Sequence, residues 1–322
     1  MKRVILVVAY DGTNYSGFAA QKNPEIHTIE GELNRALREL TGENIEVIGA
    51  SRTDAGVHAR CNYAVFDTSS PIPPANFAKA ANTKLPEDIR IQGSWEVNPE
   101  FHPRKMHTEK TYEYRIYCSA IPDPVHARFY ACTYWQLDVA AMQRAAKWLV
   151  GEHDFASFAN PAREMASTVR EITRIEIEEK LCSLPEILQA DSPWRAAALC
   201  KEYGNGAKDG ERKCNAQNET NGGITARNAG NACDEKNAGS GEHHQELPRE
   251  IIIRVSGKGF LYNMVRIIAG TLIRVGRGML DPDAIPGILE ARDRQAAGET
   301  APACGLHLVN YALIPGDLPK CE

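Results

Sequence analysis

Arg3-Val4-Ile5-Leu6-Val7-Val8-Ala9-Tyr10, the turn-rich Asp11-Gly12-Thr13-Asn14-Tyr15-Ser16-Gly17 after it, and then residues 28–42 decide the fold. The first run is apolar and stops at turn formers, the pattern of a buried β-strand. In the last, Ile29, Leu33, Ala36, Leu37 and Leu40 recur at helical spacing. Thr28 stands at the N-cap, Glu30 and Glu32 complement the first turn, and Gly42 ends the helix. Working outward, 45–50 and 62–67 read as strands flanking the compact polar segment 51–60, residues 75–85 read as a helix, and Ile89–Val97 as a strand. This β-α-β-β-α-β succession is a split βαβ unit, with helices on one face of a mainly antiparallel sheet.

The later chain repeats most of the parts: strand 110–118, helix 138–150, strands 169–179 and 250–255, and helix 259–275. The expectation is an α+β protein of two ferredoxin-like halves, 1–100 and 101–322, with the boundary near residues 98–105. Residues 201–246 differ in kind. Asn and Gly make up about a third of them and Ile224 is their one Ile, Leu, Val or Phe. Such a stretch buries too little apolar area to offset its ordering entropy, so it is expected to be a disordered insertion. His243 and His244 lie in it without further ligand spacing, and no metal site is expected.

With 43% hydrophobic and 25% charged residues, the composition is that of an ordinary globular chain. The longest apolar stretch, 260–273, is interrupted by Asn263 and Arg266 and falls short of the ~20 residues that span a bilayer. Lys2 and Arg3 before an apolar run superficially suggest a signal peptide, but no small-residue cleavage pattern follows, so a strand is the better reading. Nine cysteines, odd in number and without a C-x-x-C pair, indicate reduced thiols and a cytoplasmic protein. The net charge of −5 argues against a polyanionic partner, yet cations cluster locally. Arg249, Arg254, Lys258, Arg266, Arg274 and Arg277 face one acid, Glu250. His102, Arg104, Lys105, His107, Lys110 and Arg115 are interleaved with Tyr112, Tyr114 and Tyr117, a mixture suited to RNA phosphates and bases.

Ser51-Arg52-Thr53-Asp54-Ala55-Gly56-Val57-His58-Ala59-Arg60 is the segment that bears chemistry. A carboxylate between two strands, among small residues and near Arg52, has the makings of a nucleophile kept ionised by a cation. An Asp beside Thr and Gly is also an ordinary turn or cap residue. Arg266 sits in a helix apolar nearly all round, where a desolvated charge needs a carboxylate partner; the competing reading is an arginine reaching water or a phosphate. Tyr112, Tyr114 and Ile116 share one face of their strand, where a core aromatic is the default.

The segment resembles the signature of the TruA family of tRNA pseudouridine synthases, which carry an R-T-D-A-G-V-H motif. Six further stretches are similar in the same order: 10–18, 85–89, 110–114, 151–155, 259–266 and 300–306. The resemblance implies a pseudouridine synthase fold with the catalytic cleft between its halves. It also implies isomerisation of uridine to pseudouridine at positions 38, 39 and 40 of the tRNA anticodon stem and loop, no cofactor, and a homodimer. It makes Asp54 the catalytic carboxylate, Tyr112 the tyrosine that stacks on the target base, Arg266 the partner of the aspartate, and Arg52 an arginine linked to everting the nucleotide. Ala19 stands where glutamine commonly follows Phe18, and the insertion enlarges a connection that is usually short. An RNA-binding or RNA-folding protein with a structural Asp54 is the alternative. An aspartate-nucleophile hydrolase is disfavoured because no D-x-D arrangement accompanies Asp54.

Overall fold

The computed structural model describes residues 1–23, 25–105, 108–121, 123–160, 167–182 and 247–313. The expected insertion therefore lies outside the described residues, as does His107. Strand β1 (Lys2–Tyr10) turns Val4, Leu6, Val8 and Tyr10 into the main core, while Ile5 joins Val65 and Phe101 on the opposite face. Helix α1 (Ile29–Thr41) packs Leu33, Ala36 and Leu37 into the same core. Its ends form as the sequence dictates. Thr28 Oγ1 accepts from the Gly31 N–H at 3.2 Å, and Gly42 takes a left-handed φ of 72° while donating to Arg38 O at 2.9 Å.

Strands β2 (Ile48–Gly49) and β3 (His58–Thr68), helix α2 (Phe77–Asn82) and strand β4 (Ile89–Val97) complete the first half. Its sheet order is β4-β1-β3-β2 and every pairing is antiparallel. The second half runs through strand β5 (Thr108–Cys118), the single turn α3 (Pro124–Ala127), strand β6 (Ala131–Thr133) and helix α4 (Val139–Lys147). Strands β7 (Gly151–Asp154), β8 (Val169–Leu181) and β9 (Arg249–Gly257), helices α5 (Met264–Gly276) and α6 (Ile285–Ala291), and strand β10 (Leu306–Leu313) follow. Here the order is β10-β5-β9-β8, the same permutation as in the first half, and again antiparallel.

The α+β organisation with two ferredoxin-like halves thus holds, and the two sheets are one. Strand β10 lies parallel to β3 through His307↔His58 and Leu308↔Ala59, joining the halves edge to edge. Sequence reading found no strand there; β10, β7 and α6 were not expected. Several expected elements shrink, the helix at 75–85 to Phe77–Asn82 and that at 138–150 to Val139–Lys147 among them, and two have a visible cause. The strand at 45–50 is two residues long because Val47 N–H bonds to Asn34 Oδ1 and Ile45 N–H to Glu43 O, so side chain and turn replace the ladder. The helix expected from 259 starts at Met264, because Asn263 adopts φ 60° and 261–264 form a turn beside a cleft, closed by the Met264 N–H on Leu261 O at 3.1 Å.

Candidate active site

Three of the quoted stretches build the loop that carries Asp54. Gly12 lies flat on it: a Cβ there would stand 2.0 Å from Val57 O, so only glycine fits. Gly17, at φ 99°, brings the Phe18 N–H to Thr53 O at 3.0 Å. Tyr15 O accepts from the Gly56 N–H at 3.2 Å, and the Tyr15 hydroxyl donates to Asp88 Oδ1 at 2.6 Å. From below, fully buried Asn62 grips Ser51 at both backbone groups, accepting its N–H at 3.1 Å and donating to its carbonyl at 2.9 Å. The same amide donates to the Tyr10 hydroxyl at 3.2 Å, which shares a 2.7 Å hydrogen bond with Thr53 Oγ1. The loop is therefore held on every side except the one Asp54 faces. Asn62→Ala leaves two buried backbone groups of Ser51 unsatisfied and is expected to cost about 2–4 kcal/mol of stability, measurable by urea unfolding.

That open side is a cleft of about 950 Å³ lined by both halves. Among the described residues its charged lining is Arg52, Arg104, Lys110, Arg170 and Lys258, with a single acid, Asp54. In a chain of net charge −5 this is a segregated field that attracts anions. Asp54 is half-buried, and its carboxylate accepts no hydrogen bond from a described residue. Burial raises its carboxyl above the ordinary carboxylate range, and the Arg266 charge pulls in the opposite direction.

Arg266, in the first turn of α5, forms no ion pair with Asp54 among the described residues. Its Nε donates to Ala301 O at 2.7 Å and its Nη1 to Asn263 Oδ1 at 2.9 Å. Its charge reaches Asp54 across space, while its fork holds the left-handed Asn263 and the 300–306 stretch in place. Ala301 N–H returns a bond to Arg266 O at 3.2 Å, and Tyr114 OH donates to Pro302 O at 2.9 Å. Tyr112, on β5, is buried in the cleft wall with its ring edge-on to Phe260 at 5.3 Å and 87°. Burial, with the Asp54 charge adding, pushes its phenol up to about 12, so it is a neutral hydroxyl at physiological pH. Arg52 is exposed at the cleft rim beside Asp54.

The structure thus brings Asp54, Tyr112 and Arg52 to one cleft, with Arg266 directly behind it. Several cations read as an RNA surface are instead engaged within the protein, Arg254 and Arg249 in the sheet and Arg277 at the end of α5. Arg254 pairs with Glu113 at 2.9 Å and Glu178 at 2.7 Å, Arg249 pairs with Glu179, and Arg277 stacks over Trp135 at 4.2 Å. Cross-strand register sets the partners of Arg254 and Arg249, and it is not visible in a list of charges. Arg170 was missed: it reaches the cleft from β8 with no motif around it. The 151–155 stretch lies away from the cleft, with Phe155 in the core.

A lone carboxylate among the described residues of a basic, aromatic-flanked cleft on fused ferredoxin-like halves is an arrangement suited to a polyanionic ligand. Residues 6–104 and 145–312 match a family model described as tRNA pseudouridine synthase. The chain is 38% identical to tRNA pseudouridine synthase A of Ruminiclostridium cellulolyticum and 36% identical to that of Acetivibrio thermocellus, in each case over 96% of this chain and 98% of the relative. It is 35% identical to tRNA pseudouridine synthase A 2 of Clostridium perfringens, with the same coverage. The chain belongs to the tRNA pseudouridine synthase family, and is an isomerase.

Proposed function

We propose that this protein converts uridine to pseudouridine at positions 38, 39 and 40 of tRNA, with Asp54 as nucleophile. The observation that carries the reading is the half-buried carboxylate, the only acid among the described residues of a cleft lined by five cations. The reaction breaks the C1′–N1 bond, turns the uracil and joins C1′ to C5, while the C5 proton leaves and N1 gains one. Substrate and product are isomers, so the chemistry requires no redox group, metal or second substrate. The nucleotide leaves its stack to reach the carboxylate. Arg52, at the rim, is placed to hold the strand as it everts, and Tyr112 offers its ring to the detached base. Because the Tyr112 phenol is neutral, it acts as a hydroxyl and not as a standing base. Attack at C1′, attack at C6 and elimination to a glycal all begin from the same ionised Asp54.

We also propose that the protein acts in the cytoplasm as a homodimer. Cys61, Cys118, Cys132, Cys182 and Cys304 are free thiols, and no helix among the described residues is long and apolar enough to cross a membrane. Sedimentation with and without tRNA tests the dimer. The activity test is incubation of the purified protein with unmodified tRNA in the presence of EDTA, followed by mapping of pseudouridine. Modification at 38–40 that EDTA does not prevent is the expected result; tight binding without modification would favour an RNA-binding protein.

A further inference from the structure

Several cations of this fold are paired with carboxylates, one of them, Lys258, in the same cleft. Arg3, Arg35, Arg115, Arg128, Arg249, Arg254 and Lys258 each pair with a carboxylate. Arg52, Arg104 and Lys110 pair with none among the described residues, although the whole chain has 42 acids for 37 Lys and Arg. The three come from different places, the Asp54 loop, the segment after β4 and strand β5, and converge on one wall of the cleft. They are close enough for Arg104 and Arg52 to act on the Lys110 charge.

Like charges gathered without a counterion are held there by other contacts. Arg104 lines the cleft and its Nε is anchored to Gly49 O at 2.8 Å. Lys110 lies over the Tyr311 ring, with Nζ 5.2 Å from the centroid. Tyr311 is in turn fixed by its hydroxyl, which donates to Pro103 O at 3.0 Å, and by Tyr63 packed edge-on at 5.1 Å. A cation–π contact attracts an ammonium without neutralising it. Among the described residues the cluster is thus preorganised and without a paired carboxylate, the arrangement that a single tetrahedral anion completes by accepting from several donors.

We propose that Arg52, Arg104 and Lys110 form a receptor for one phosphodiester group of the substrate strand, next to the nucleotide that Asp54 attacks. The receptor rests on the reading of this cleft as a tRNA site. The site adds a signature that an ordinary surface lysine lacks. Burial, with Arg104 and Arg52 adding, lowers the Lys110 ammonium to about 8. The other titratable groups around it are Tyr112 on the same strand face, Tyr311 and, behind it, Tyr63 and Cys61, all raised by burial and neutral in this range, and the Asp54 carboxyl in the same cleft. Empty, the site is partly deprotonated above that pH. A bound phosphate favours the charged form, so binding takes up a proton there and affinity falls as pH rises through this range.

The test uses the full chain and an unmodified tRNA transcript, comparing wild type with Lys110→Arg and Lys110→Met. The readouts are Kd against pH and salt, and single-turnover rate at saturating tRNA. Wild-type affinity is expected to weaken above about pH 8, and Lys110→Arg, charged throughout, to bind well with a flat pH profile. Lys110→Met should bind about tenfold more weakly at neutral pH, with a log–log salt slope shallower by about one contact. Its loss in Kd should far exceed its loss in saturated rate. An unchanged Kd and salt slope in Lys110→Met, or a lost saturated rate with intact Kd, overturns the receptor. So does a Lys110→Arg profile that bends like wild type, a readout that stands even if the Met variant fails to fold. Failure of the wild type to modify tRNA at all would instead count against the reading of the cleft.

Discussion

Asp54→Asn is expected to lower single-turnover pseudouridine formation by at least about a thousandfold while leaving tRNA binding within about threefold of wild type. The amide is nearly isosteric with the carboxylate and is not a nucleophile. The loop around it does not depend on the charge, since the bonds that hold it run through Asn62, Tyr10, Thr53, Tyr15 and Phe18. Residual activity within about tenfold of wild type would remove Asp54 from its role.

The same variant should be more stable than wild type at neutral pH. Burial raises the Asp54 carboxyl in the folded state, so the folded protein binds more protons than the unfolded chain between the ordinary carboxylate value and the raised one. Stability therefore falls as pH rises through that window and the cost persists above it, where the carboxylate is ionised and half-buried. Asp54→Asn carries no such cost. Its melting temperature should exceed that of wild type at pH 7, and the gap should close below the ordinary carboxylate range. A gain in stability coupled to a loss of turnover is the mark of a group kept in place for function; a variant less stable than wild type at pH 7 would make Asp54 a structural residue.

What the sequence disclosed about this site, and what it withheld, follows from the range of the interactions involved. Thr28, Gly42 and the apolar spacing of α1 act within a turn or two of chain, and they appear in the structure as read. The permutation β4-β1-β3-β2 follows from two crossovers and short connections, so the first half was legible. Strand β10 was not, because its six-residue predecessor 300–305 and its own mixed pattern, with His307 and Asn310 among Leu306, Leu308 and Tyr311, show no clear alternation. What makes 306–313 a strand is the pair of waiting edges on β3 and β5, both far upstream in sequence. The cleft is a product of that same fusion. Asp54 and Tyr112 were found through their motifs, whereas Arg170, whose neighbours in sequence are ordinary, becomes a cleft residue only once β8 is placed.

Arg266 is where geometry refines the expectation most. It was expected to pair with Asp54; instead its fork is bonded to Ala301 O and Asn263 Oδ1, and its effect on the carboxylate is through space. The two duties separate by substitution. Arg266→Ala removes the charge that pulls the Asp54 carboxyl down, so its raised value rises further, the ionised fraction at a given pH falls, and the acidic limb of the single-turnover rate moves to higher pH. Arg266→Lys keeps a charge and so keeps the limb near its place. Yet a lysine lacks the planar fork that holds Asn263 at φ 60° and ties down 300–306, so its plateau rate should fall by about a hundredfold. Binding should change less in both variants. If Arg266 gripped a phosphate instead, the lysine variant would be near normal in rate and the alanine variant would show a reduced salt slope with an unmoved acidic limb. That combination, measured by single-turnover pH profiles and salt-dependent binding, would sever Arg266 from the carboxylate; a shifted limb in the alanine variant alone ties the two together.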